Sequence, residues 1–312
     1  MGAMSSDDET ARAVTVDRRS GPYGEVVLRR RGAHHEIIAN GVFLMDTSDG
    51  RSERLLIRAA AQALDGTTAA PAVLIGGLGV GFSLAEAAAD ARWGRITVVE
   101  REPAVIEWHT RPAAGQPGPA EGTKPGSADG PATSPADGSP GGAAEAPADG
   151  SAGAPADGPA AGPADGSAGG PADSPPLARL SGAALADPRV ELVEADLLDH
   201  LATASGPYDA VCLDIDNGPD WTVTDGNSGL YAPAGLAACR DRLAPGGVLA
   251  VWSARPSPAF EAALRTAGFT DVRTEEIPVR RGVPDAVHLA VRPRRPASTA
   301  RPTTRPGALR SP

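Results

Sequence analysis

Four carboxylates, Glu100, Asp196, Asp214 and Asp216, stand at or near the C-terminal ends of short apolar runs, and glycines at positions 76, 77, 79 and 81 punctuate the stretch VLIGGLGVG from Val73 to Gly81. These residue types in this pattern point to a nucleotide. Glycines free the backbone to turn sharply and to approach a ligand closely. A carboxylate about 20 residues beyond such a turn accepts hydrogen bonds from both ribose hydroxyls. Gly76 and Glu100 are 24 residues apart. The ligand is a dinucleotide or an S-adenosyl compound, because both are bound by this turn with an acid at the end of the second strand. The two acids of YDAVCLDID, from Tyr208 to Asp216, offer further chemistry. A carboxylate there can orient a cationic amine and take its proton.

The elements that must position these groups follow from periodicity. VLIGG reads as a buried strand with its turn, LAEAAADA as a helix, and ITVVE as a second strand ending in Glu100. RVELVEAD (189–196) and YDAVCLDID (208–216) are the third and fourth strands, and LAPGGVLAVW (243–252) is the fifth. Strands alternating with helices predict a parallel sheet, in which ligands sit outside the carboxyl ends of the strands, so the four acids are expected to rim one crevice. A helix around Phe260 to Ala267 and two strands, FTDVRTEEIPV and DAVHLAVR, complete the sheet. Ahead of all this, EVVLRRR and HHEIIANGVFLMDT read as an antiparallel meander, with Asn40-Gly41 as a type I′ hairpin turn. The helix SERLLIRAAAQAL (52–64) follows, with Ser52 as its expected cap.

Not all of the 312 residues carry a folding signal. From Ala113 to Pro176 the chain is almost entirely Ala, Gly, Pro, Ser and Asp, with PADG recurring at Pro135, Pro147, Pro155 and Pro163. Without aromatic or branched aliphatic side chains to bury, such a segment cannot offset its ordering entropy and is expected to be disordered. The same expectation covers residues 1–21 and the Arg- and Pro-rich tail, 292–312. The folded parts are then a small β-hairpin domain with its linking helix, 22–65, and a nucleotide-binding domain built from 66–112 and 177–291.

The net charge of −10 includes eight acids and one Lys in the insertion and six Arg in the tail. An acidic folded part argues against a nucleic-acid groove. Cys212 and Cys239, without a CxxC pairing, read as core thiols of a cytoplasmic protein. The five His are scattered, so no metal site is expected, and no apolar run is long enough to span a membrane.

With the antiparallel sheet ending and LAPGG before the fifth strand, the fold class is α/β: a class I S-adenosylmethionine methyltransferase-like Rossmann sheet preceded by a small N-terminal β domain. The chain resembles the spermidine synthase family over roughly residues 22–112 and 177–291. VLIGGLGVG is similar to that family's glycine-rich turn, VVERE to its ribose-binding strand end, VEADLLDHL to its adenine-contacting segment, and YDAVCLDID to the strand that ends at its catalytic Asp. The resemblance implies donor contacts at Gly76, Gly77, Gly79, Gly81, Glu100, Asp196 and Leu197, and catalytic roles for Asp214 and Asp216. It implies no permanently bound cofactor and a decarboxylated S-adenosylmethionine donor, or S-adenosylmethionine itself if the chain is a methyltransferase. It also implies a small-molecule amine as acceptor, and a homodimer. Four features depart from the family pattern, one being that the hairpin Gln expected near Leu44 or Met45 is absent. Gly79 stands where the family places an Asp, Arg51-Ser52-Glu53 replaces a Tyr-His-Glu triplet, and the catalytic loop reads DIDNGPDW. A methyltransferase and a non-catalytic nucleotide-binding relative are therefore the alternatives to an aminopropyltransferase.

Overall fold

The computed structural model describes residues 11–66, 68–111, 175–224, 226–279 and 282–294. The expected insertion lies almost wholly outside the described residues, as do most of the tail and the first ten residues.

The N-terminal part is a four-stranded antiparallel meander in the order β1 (Val14–Gly21), β2 (Gly24–Arg31), β3 (His34–Ala39) and β4 (Val42–Asp46). The sequence reading left β1 in a disordered N-terminus, and the structure corrects this. VTVDRRSG is too charged to read as a strand on its own, but it pairs along β2 from Val14↔Arg30 to Gly21↔Gly24. Trp108 Nε1 then donates to Asp17 Oδ2 at 2.9 Å, anchoring the strand to the rest of the fold. Between β3 and β4, Asn40 and Gly41 both take positive φ, 51° and 79°, as a type I′ turn requires. Helix α1 (Arg51–Ala63) starts at Gly50, not Ser52. Ser52 lies inside its first turn and donates to Glu53 Oε2 at 3.0 Å.

The second sheet has seven strands. In chain order they are β5 (Ala72–Gly76), β6 (Arg95–Glu100), β7 (Val190–Glu194), β8 (Tyr208–Leu213), β9 (Leu243–Ser253), β10 (Thr270–Ile277) and β11 (Asp285–Val291). In space the order is β10-β11-β9-β8-β5-β6-β7, with β7 to β9 parallel and β11 antiparallel to both its neighbours. The connecting helices are α2 (Phe82–Ala89), α3 (Pro103–Thr110), α4 (Ala178–Leu185), α5 (Leu197–Thr203), α6 (Ser228–Tyr231), α7 (Pro233–Arg242) and α8 (Pro258–Thr266). The central strands are near-continuous apolar runs because both faces are covered. Val73, Ile75 and Cys212 join α1, α2 and the meander in one core, while Leu74, Val211 and Leu213 join α5, α7 and α8 in the other. Cys212 and Cys239 are buried free thiols. No helix among the described residues is long and apolar enough to cross a membrane.

Strand order reverses between β5 and β8, so the glycine-rich turn after β5 and the acidic loop after β8 open side by side. That is the switch point at which an open sheet receives a ligand.

Candidate active site

The cleft at the switch point encloses about 1020 Å³, part of it open to solvent. Its polar lining comes from the strand ends: Glu100, Arg101, Asp196, Asp214 and Asp216. The meander supplies an apolar wall that includes Val26, Ile37, Leu44 and Met45.

The glycine-rich turn is held from three sides. Gly77 N donates to Val99 O at 2.9 Å, Leu78 N to Glu100 Oε2 at 2.9 Å, and Val80 N to Met45 Sδ at 3.1 Å. Gly77 and Gly79 line the cleft. Both have positive φ, 92° and 49°, and a Cβ would stand 2.2 Å from Asp214 O at the first and 2.4 Å from Met45 Sδ at the second. Gly76 and Gly81, expected as ligand contacts, are not part of the cleft lining. A Cβ on Gly76 would meet Leu197 Cδ2 at 2.8 Å, and Gly81, which precedes α2, packs against Ser181 and His109. Their smallness serves packing behind the turn.

Glu100 turns its carboxylate onto the backbone. Oε2 accepts from Leu78 N, and Oε1 accepts from Glu102 N at 2.8 Å. Burial raises its pKa against the lowering effect of these amide bonds. Each oxygen can accept a further hydrogen bond. Asp196 caps α5, its Oδ1 accepting from Leu198 N at 2.8 Å, while Oδ2 lies 3.7 Å from Arg101 Nη1. Leu197 lines the cleft beside it.

Asp214 differs from both. Its Oδ2 accepts from Ser83 Oγ at 2.8 Å, and its Oδ1 is buried with no hydrogen-bond partner. Burial raises its pKa, and the charge of Glu100 adds to the rise against the Ser83 bond. Glu53 of α1, itself buried, is raised by burial and then by the charge of Asp214. Asp216 sits at φ 53°, accepts from Asn227 Nδ2 at 2.8 Å and Thr224 Oγ1 at 3.4 Å, and lines the cleft together with both.

Glu53 lines a second cleft of about 1050 Å³ together with Asp46, Asp49, Asp285, Trp221 and Trp252. The indole Nε1 of Trp252 is buried without a partner. The two clefts share Leu44 and Met45; Asp214 lines the first and Glu53 the second, and Ser83 Oγ donates to Asp214 Oδ2 at 2.8 Å and lies 3.4 Å from Glu53 O. Among the described residues no group of His, Cys, Asp and Glu is arranged to hold a metal ion.

His109, near the end of α3, is 2% exposed. Nε2 lies 2.8 Å from Gly79 O and Nδ1 2.5 Å from Ser181 Oγ. Burial pushes its pKa down to about 4, so the ring is neutral and its Nε2–H donates to Gly79. Ser83, His109 and Ser181 carried no sequence signal. Glu53 did carry one, as the acid of a replaced triplet.

No family model matches this chain, and no curated protein does. Among solved structures, the spermidine synthase of Thermotoga maritima covers 89% of this chain and 72% of its own, with a TM-score of 0.56 at 13% identity. A spermidine synthase in complex with the transition-state analogue AdoDATO covers 89% and 73%, with a TM-score of 0.58 at 13% identity. The fold is class I methyltransferase-like, with an antiparallel N-terminal sheet.

Proposed function

We propose that the protein is a group transferase that binds an S-adenosyl donor in the cleft at the switch point and passes an aminopropyl group to an amine held in the acidic cleft beside it. The observation that carries this reading is the unpartnered Oδ1 of Asp214, a buried carboxylate oxygen on a residue that lines the first cleft. An ammonium acceptor must lose a proton before it can attack. Asp214, its pKa raised toward neutrality, takes that proton while Asp46 and Asp285 of the second cleft hold the remaining positive charge. The freed nitrogen lone pair forms the new C–N bond to the propyl carbon beside the sulfonium. The C–S bond breaks with its electrons on sulfur, and methylthioadenosine leaves. A diamine suits a cleft lined by four carboxylates and two indoles, since aromatic faces and carboxylates both attract ammonium groups.

Methyl transfer from S-adenosylmethionine is the second reading. It is favoured by Gly79 and the Met45 thioether, which put no carboxylate on the turn to receive the amine of the donor's tail. Assays with decarboxylated and ordinary S-adenosylmethionine, each against a panel of mono- and diamines, test the pair. Product formation from the decarboxylated donor supports the proposal. Methyl transfer alone replaces it with the second reading, and turnover with neither donor overturns both.

A further inference from the structure

We infer that His109 is a positioning residue for the donor: by holding the carbonyl of Gly79 from outside the first cleft, it sets the affinity of that cleft for an adenosyl thioether. The inference rests on the reading of the first cleft as an adenosyl site and adds what keeps that site in shape.

The peptide between Gly79 and Val80 is held at both ends. Its carbonyl oxygen lies 2.8 Å from His109 Nε2, and its N–H donates to Met45 Sδ at 3.1 Å. In a trans peptide these two groups point to opposite sides, so α3 grips one edge of the turn and β4 the other. A carbonyl oxygen only accepts, which puts the imidazole proton on Nε2 and leaves Nδ1 as an acceptor. Ser181 Oγ, 2.5 Å from Nδ1, is then the donor to it. Its single proton goes to Nδ1 in preference to Leu177 O at 3.4 Å. Ser181 of α4 thus fixes the tautomer, and the tautomer fixes the turn. Both side chains are buried, so each bond is costly to lose.

The backbone here needs such a hold. Gly77, Gly79 and Gly81 take φ of 92°, 49° and 100°, and a glycine leaves these conformations as readily as it enters them. A free 79–80 peptide would sample several orientations, and a ligand would bear the cost of ordering it. A held one presents a pre-formed wall. Gly79 lines the cleft, whereas His109 and Ser181 do not, so their effect on a ligand passes through the turn.

The test is calorimetric titration of the full-length protein with methylthioadenosine in wild type, His109→Asn, His109→Gln and Ser181→Ala. Both His109 variants remove the ring. Gln carries an N–H at about the reach of Nε2 and keeps a donor for Gly79, while the shorter Asn does not. His109→Asn is expected to weaken binding by about 10-fold, with His109→Gln restoring most of the loss and Ser181→Ala losing less than Asn. Equal losses in Gln and Asn overturn the inference, because the ring would then only fill space. Wild-type affinity in Asn overturns it as well. If neither His109 variant folds, Ser181→Ala decides: weakened binding supports the hold on the turn, and unchanged binding overturns it. A wild-type protein that binds no methylthioadenosine overturns the donor reading and this role together.

Discussion

The ends of β6 and β8 each present a buried carboxylate to the same cleft, but the two are treated in opposite ways. Both oxygens of Glu100 accept backbone amides, from Leu78 and Glu102. Asp214 has one hydroxyl partner, Ser83, and one oxygen with none. A carboxylate fixed by peptide N–H groups is a rigid acceptor, suited to holding hydroxyls in place. One that is buried and under-satisfied is a proton acceptor in waiting, and the folded state bears the cost of keeping it so. In the proposed reaction these two acids, on the strands that flank β5, divide binding from chemistry.

The sharpest way to break that division is Asp214→Asn. The amide is nearly isosteric and can still accept from Ser83, so the fold and donor affinity should survive while turnover falls by about 100-fold or more, the range for loss of a general base. Steady-state kinetics beside donor titration checks it, and equal losses in binding and turnover would show that the two roles are not separate. Glu100→Gln is the reciprocal experiment. Its NH₂ would face one of the two backbone donors, so donor affinity should fall by about 10- to 100-fold with turnover at saturation little changed.

A third measurement reads the protons directly. The pKa values of Asp214 and Glu53 are raised, so the folded protein keeps protons that the unfolded chain has already released. Stability therefore declines as pH rises from the ordinary carboxylate range toward the pair's raised values. His109 works in the other direction. Its lowered pKa costs stability as pH falls from the ordinary histidine range toward about 4. Melting curves of Glu53→Gln against wild type cancel the histidine contribution and should show the variant gaining about 1 to 3 kcal/mol as pH rises from 5 to 8. A constant difference across that range would mean that Glu53 carries no extra proton.

Much of this molecule was readable from its sequence, and the unread parts share a cause. The glycine-rich turn, Glu100 24 residues further on, and Asp214 at the end of an apolar strand are local patterns whose spacing is set by strand and helix geometry. β1 was missed because its charged residues are stabilised by a partner strand and by Trp108, 91 residues from Asp17. Ser83 reaches Asp214 across 131 residues, and His109 reaches Ser181 across 72. Such contacts depend on how helices settle against the sheet, which periodicity does not encode. The partners of Asp216 were unreadable for a related reason. A strand-end acid serves a loop or a ligand equally well by sequence, and here Asn227 and Thr224 claim it.

The smallest expected effect concerns the long segment between α3 and α4. Replacing residues 113–174 by a short Gly/Ser linker should move the melting temperature by no more than a few degrees, since loop-closure entropy changes only slowly with length. Donor binding should be unchanged. A cooperative loss of folding would show that the segment packs on the core.

Where that segment leaves and returns, the chain forms a neck. Leu177 N donates to Trp108 O at 3.0 Å, and one residue further along α3 His109 grips both Ser181 and the carbonyl of Gly79. In mechanical terms, tension applied to the chain at 111 and 175 loads these few bonds first, and the first structure beyond them is the turn that lines the cleft. A tag or folded module spliced into the segment would pull first on these bonds and, through His109, on the glycine-rich turn.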